Sequence, residues 1–142
     1  MHMPDRSERA KLFTPADSPP GAEDVPITTL DAFCTEQSIP HINFLKIDTE
    51  GTDLRVLQGA RDLLSRQAID LVEVEAGANP ANETHVPFEI LKAHLESHGY
   101  LLFGIYDQFS QLYFTREPHL RRVNPLFISS ASCKLNIAPK RK

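Results

Sequence analysis

The sequence predicts an α/β domain, and two observations carry that expectation. The first is an apolar, strand-type run from His41 to Asp48 (HINFLKID), with Ile42, Phe44, Leu45 and Ile47 apolar, as in a parallel strand covered on both faces. The second is an amphipathic stretch directly after it (TDLRVLQGARDLLSR), succeeded by another β-type run from Ile69 to Glu75 (IDLVEVE). Strand, helix and strand in that order form a βαβ crossover, so the two strands are expected to be parallel and joined by a right-handed connection.

Nearer the start of the chain, Ala10 to Thr14 suits one short strand. Pro15, Pro19, Pro20, Gly21 and Pro26 make the next stretch a loop or linker, because proline and glycine interrupt regular structure. Thr28 or Thr29 can cap a short helix running through Leu30, Phe33 and Cys34. HINFLKID stops abruptly at Asp48-Thr49-Glu50-Gly51. In the helix beyond, Leu54, Leu57 and Leu64 share a stripe flanked by Val56, Ala60 and Leu63, while Asp53, Arg55, Gln58 and Arg61 fall elsewhere. An acid near its start and Arg61 and Arg66 near its end suit the helix dipole. Gly59 inside this helix costs about 1 kcal/mol relative to alanine, which points to close packing against a strand.

A second helix is expected from about Pro87 to His98, with Phe88, Leu91 and Leu95 on one side. Pro87 suits the first turn and Gly99 the position just past the end. Tyr100 to Tyr106 (YLLFGIY) reads as a third core strand, Leu112 to Thr115 as a short extension, and Leu126 to Ser129 as a final strand. No internal repeat is visible. The organisation is thus an N-terminal extension and proline-rich loop over residues 1–26, one domain over 27–132, and a basic flexible tail over 133–142.

With 142 residues and 41% hydrophobic content the chain can bury a core. The net charge of -4 and the scattered basic residues argue against nucleic acid as a partner. Cys34 and Cys133 are the two cysteines and show no CxxC spacing, so reduced thiols and a cytoplasmic location are expected. The charged, proline-containing start does not resemble a secretory signal, and no run approaches the ~18 apolar residues of a membrane span.

The block HINFLKIDTEGTDLRVLQGARDLL, preceded by Leu30-Asp31, resembles the central block of the FkbM methyltransferase family. The matching elements are Lys46-Ile47-Asp48, Glu50-Gly51 and Val56-Leu57-Gln58-Gly59-Ala60. The similarity continues through Glu73, Glu75, Gly99-Tyr100 and Asn124-Pro125-Leu126-Phe127, over residues 25–130. It implies a partial Rossmann-like class I methyltransferase sheet, strands four to seven, with an antiparallel C-terminal pair and flanking helices. It also implies a methyltransferase using S-adenosylmethionine, with O-methylation of a sugar, glycolipid or natural-product hydroxyl.

Family members carry that cofactor on a preceding half, at a glycine-rich turn and a ribose-binding acid. Gly21, Gly51, Gly59, Gly77, Gly99 and Gly104 are too dispersed for such a turn, so the cofactor-binding half is expected to be missing and the chain truncated. The HINFLKID strand would then have an open edge, and a homodimer joined there is expected. Two functions are compatible with this: an enzyme with a small-molecule or glycan acceptor, whose activity as an isolated chain is left open, or a non-catalytic half-fold serving assembly or binding.

Ligands of open α/β sheets bind beyond the carboxyl ends of the strands, where Asp48, Glu50 and Glu75 are expected. A carboxylate there can orient the acceptor hydroxyl or take its proton, with Asp48 the first choice and Glu75 the second. Asp48 and Glu50 can equally cap the following helix. Glu73 is read as part of a solvated strand face, and Lys46 as a partner for an acid or a snorkelling lysine. Tyr106 and Asp107, at the end of the third strand, and His41 are the substrate-contact candidates, and His85 is placed at the surface. A magnesium ion on Asp48, Glu50 and Glu75 is the lesser reading, since nothing fixes octahedral geometry, and no metal is assigned. His94 and His98 lie four apart on a helix but lack a third ligand, so a solvated face is expected.

Overall fold

A computed structural model describes residues 26–112 and 116–135. The strand expected at 10–14, the proline-rich loop before Pro26, the extension beyond Leu112 and the tail from 136 lie outside the described residues. The elements are α1 (Leu30–Glu36), β1 (Ile42–Lys46), α2 (Asp53–Gln58), α3 (Arg61–Ser65), β2 (Ile69–Glu73), β3 (Ala76–Gly77), α4 (Phe88–Ser97), β4 (Tyr100–Ser110), β5 (Leu120–Ser129) and α5 (Ser130–Leu135).

The class is α/β, as expected. β1 pairs in parallel with β2, Ile42 opposite Ile69 and Lys46 opposite Glu73. β5 runs antiparallel to everything it touches: β2 and then β3 along one edge, and β4 along the other. Among the described residues the last strand therefore sits in the middle of the sheet, and β1 and β4 are its outer strands. Leu57, Leu63 and Leu64 from the helices pack with Ile69, Val72 and Phe127 of the sheet, all essentially inaccessible. Each such side chain contributes about 1.5–3 kcal/mol relative to exposure. Tyr100 joins this core and keeps its hydroxyl satisfied by donating to the Ile69 carbonyl at 2.8 Å. Burial pushes its phenol up to about 12.

Local chemistry accounts for the element ends. Thr29 is the N-cap of α1, its hydroxyl accepting from the Ala32 N–H at 3.2 Å. Gly99, with φ of +80°, turns the chain out of α4 as the sequence predicts.

Several expectations change. The single helix after Gly51 is two helices, broken at Gly59-Ala60, because α3 receives a cap from a distant residue. The Asp31 carboxylate accepts from the N–H groups of Asp62 (2.8 Å) and Leu63 (3.0 Å), and the Asp31 N–H donates to the Gly59 carbonyl. Gly59 accordingly packs on the Thr29 side chain rather than a strand; a Cβ there would lie 3.3 Å from it. Asp53, read as part of the polar face, is fully buried.

The outer strands are not covered on both faces: Phe44 is half-exposed, and Leu101, Leu102 and Phe103 of β4 face outward. Apolar patterning records what a strand can bury, and too little of the described chain lies over β1 and β4 to do it. Finally, β4 does not end at Tyr106. A register shift between Tyr106 and Phe109, with Asp107 at φ +42°, carries it on to Ser110, and β5 begins as early as Leu120 to pair with it. No helix among the described residues is long and apolar enough to cross a membrane.

Candidate functional site

The parallel pair delivers its ends to one corner. Past β1, the Ile47 N–H still donates to the Glu73 carbonyl (2.8 Å), and the chain then turns through Glu50 and Gly51, both in the left-handed region at φ +49° and +97°. A Cβ on Gly51 would collide with the Thr84 carbonyl oxygen, so the turn is pressed directly onto the loop that precedes α4.

Glu75 stands between β2 and β3 and is 1% exposed. Its N–H donates to Asp53 Oδ1 at 3.2 Å, and Asp53 Oδ2 accepts the Thr49 hydroxyl at 2.9 Å. One buried carboxylate thereby ties together the turn, the start of α2 and the end of the β2 segment.

The loop contributes His85, likewise buried. Asn82 organises it: Oδ1 accepts from the N–H groups of Thr84 and His85, both at 3.1 Å, and from His85 Nδ1 at 3.0 Å. The Asn82 amide nitrogen donates to the Arg121 carbonyl at 2.8 Å, which sets the direction of its oxygen. With Nδ1 so engaged, His85 turns Nε2 inward. Nε2 lies 2.8 Å from Glu75 Oε2 and 3.5 Å from Glu50 Oε2. Despite that proximity, neither Glu75 oxygen nor His85 Nε2 makes an aligned hydrogen bond. Arg122 Nη1 lies against Glu75 Oε1, its guanidinium 4.1 Å above the Phe109 ring.

The residues singled out in the sequence divide accordingly. Glu50 and Glu75 are brought together. Asp48 is half-exposed and stays outside, 3.9 Å from Lys46 Nζ, which also lies 3.5 Å from Glu73. Glu73 is therefore paired and mostly covered rather than part of a solvated face. His41 sits at the opposite end of β1, its Nε2 3.0 Å from Asp70 Oδ2, and so lies away from the acids. There the Ser132 hydroxyl, then His41, holds the Asp70 carboxyl below its ordinary value. Tyr106 and Asp107 lie within β4. Tyr106 is paired with Asn124 and so is at about the level of Glu75 along the sheet, but with β5 between them.

His85 was expected at the surface and is in fact central, and Asn82, Asp53 and Arg122 were not singled out for the site. The spacing Asn82-x-x-His85 in a polar loop is the one local signal for them, as an Asx-type turn that would hold the histidine. The His94 and His98 rings lie 4.9 Å apart, tilted by 50°, and burial first, then His98, lowers the His94 pKa. Among the described residues, Glu50, Glu75 and His85 are the one cluster of three potential metal ligands. Chemically, such a corner can hold a cation or orient a hydroxyl and receive its proton.

Residues 3–102 match the family model described as the methyltransferase FkbM domain. Neither the curated proteins nor the solved structures gave a match to the chain.

Proposed function

Since the chain belongs to the FkbM methyltransferase family, we propose that it serves methyl transfer from S-adenosylmethionine to a hydroxyl of a sugar, glycolipid or natural product. The observation that carries this reading is the convergence of Glu50 and buried Glu75 on His85 at the carboxyl end of the parallel pair, where open α/β sheets bind ligands. The strand order β1, β2, β5, β4, with β5 the antiparallel member, supports placing these strands in a class I methyltransferase sheet. Free Cys34 and Cys133 suit a reducing cytoplasm.

The donor needs a backbone turn open enough for close approach and a carboxylate for its ribose hydroxyls. Each described glycine instead faces its own chain: Gly51 meets Thr84, Gly59 meets Thr29, Gly77 meets His85, Gly99 meets Gln67 and Gly104 meets Tyr106. The described residues thus do not fit the donor, and the chemistry assigned to them concerns the acceptor alone. The acceptor oxygen must shed its proton as it attacks the methyl group. Glu50, whose side chain is 71% exposed, is the carboxylate an incoming hydroxyl meets first, with His85 3.5 Å behind it and Glu75 beyond.

General-base assistance contributes on the order of 10²- to 10⁴-fold, so Glu50→Gln should lower transfer of a labelled methyl group to hydroxylated acceptors by that range. Full transfer by this variant would remove Glu50 from the mechanism. A wild-type chain inert toward every sugar and glycolipid acceptor tried would turn the reading toward assembly instead. That second reading is favoured by one feature: among the described residues β1 pairs only with β2 and leaves its outer edge unpaired, with Phe44 half-exposed, and a second copy can add there.

A further inference from the structure

We propose that Glu50, Glu75 and His85 form a binding site for a divalent cation of the kind that takes mixed imidazole and carboxylate ligands, such as Mn²⁺ or Zn²⁺.

The donor atoms lie within 4.8 Å of one another, the closest pair, His85 Nε2 and Glu75 Oε2, being 2.8 Å apart. Ligands held about 2.0–2.2 Å from one ion are themselves roughly 3–4 Å apart, so small shifts of the three side chains close the set.

Two of the three are more than nine-tenths buried, and the facing atoms lack aligned hydrogen bonds. Glu75 Oε2 and His85 Nε2 face each other at 2.8 Å, close enough for both to share one positive centre. An ion to one side of the pair satisfies both atoms at once.

The surroundings of His85 fit the same role. Ligating histidines are held by a hydrogen bond from the other ring nitrogen, and here Nδ1 is engaged by Asn82 Oδ1 at 3.0 Å, itself fixed by the Arg121 carbonyl. Arg122 opposes a cation, but it engages Oε1 and leaves Oε2 free, and Glu50 restores a negative donor set. Exposed Glu50 also gives the ion a route in from solvent and room for water ligands. Cation binding does not depend on the methyltransferase reading, and its test uses neither donor nor acceptor; with an acceptor bound, the ion would polarise its oxygen as a Lewis acid.

The test uses the full chain, stripped with a chelator and titrated with Mn²⁺ under electron paramagnetic resonance, then with Co²⁺ under visible absorption, with Zn²⁺ as competitor. One equivalent should bind, and the Co²⁺ spectrum should show a nitrogen ligand. Asn82→Ala should weaken binding about 10- to 100-fold, and Glu50→Gln at least about tenfold. Glu50→Gln decides the matter, because its side chain is exposed and the fold does not depend on it, as circular dichroism will check. Glu89→Gln, on α4, should bind like wild type. Absence of stoichiometric binding, equal affinity in Glu50→Gln and wild type, or a Co²⁺ spectrum of oxygen ligands only would overturn the site.

Discussion

Asp53 Oδ1 accepts the backbone N–H of Glu75 at 3.2 Å, so the first residue of α2 fixes the height at which the buried acid leaves the sheet. Its other oxygen holds Thr49, and the Asp48–Gly51 turn with it. The spacing of Glu50 and Glu75 is thus set by a carboxylate that contacts neither side chain.

Replacing Asp53 by alanine leaves the Glu75 N–H and the Thr49 hydroxyl without their acceptor in a buried setting. A loss of about 2–4 kcal/mol is expected from urea unfolding. Asp53→Asn should lose less, because its amide oxygen still accepts from Glu75 and the Thr49 hydroxyl can reverse. A loss under about 0.5 kcal/mol for the alanine variant would show that this tie does not hold the corner.

Gly51→Ala should be worse than an ordinary loop substitution. At φ +97° an L side chain is strained, and its Cβ would meet the Thr84 carbonyl. The expected cost is about 1–3 kcal/mol for the backbone conformation alone. The turn must also move off the loop, which draws Glu50 from His85; a crystal structure of the variant with that pair unchanged would contradict this.

Acid should act first through His94. Burial, then His98, lowers its pKa, so the folded chain binds that proton less readily than the unfolded one. Its contribution is whole above the unfolded value near ~6.5 and declines as pH falls below it toward the folded pKa. Asp70, also lowered, acts in a separate window: its contribution is present above the unfolded value near ~3.9 and is lost as pH falls through the folded one. The thermal midpoint should therefore drop as pH falls below about 6.5, and His94→Gln should flatten that arm. A wild-type midpoint that is constant across it would reject the assignment.

The outer edge of β1 predicts self-association. Light scattering on a sizing column should give a mass above the 16.0 kDa monomer, and Phe44→Lys, which puts a charge on the edge strand, should return it to that value. A wild-type monomer at high concentration would dispose of the edge contact.

What the sequence made legible was local. The Thr29 cap, the turn at Gly99 and the parallel pairing of β1 with β2 rest on short-range patterns, and each is present. The break at Gly59-Ala60 depends on Asp31, some thirty residues earlier, and helical periodicity carries no trace of so distant a cap. Asp53 looked like any acid at a helix start, and His85 like any loop histidine, because burial is a property of what comes to lie against a residue. Glu50 and Glu75 are expected near one crevice because ligands of such sheets bind beyond the strand ends, and the two do lie together. Asp48 lies two residues before Glu50, and the left-handed backbone at Glu50, φ +49°, which spacing does not reveal, is what parts their directions.

The central position of β5 bears on how the molecule is made. On the ribosome, β2, β3 and β4 emerge before the strand that will hydrogen-bond to all three, and for that interval their inner edges stand exposed. Non-local pairing of this kind slows folding. A chain stalled before Leu120 would lack the sheet's middle, so premature termination there should yield an aggregating product rather than a smaller stable domain.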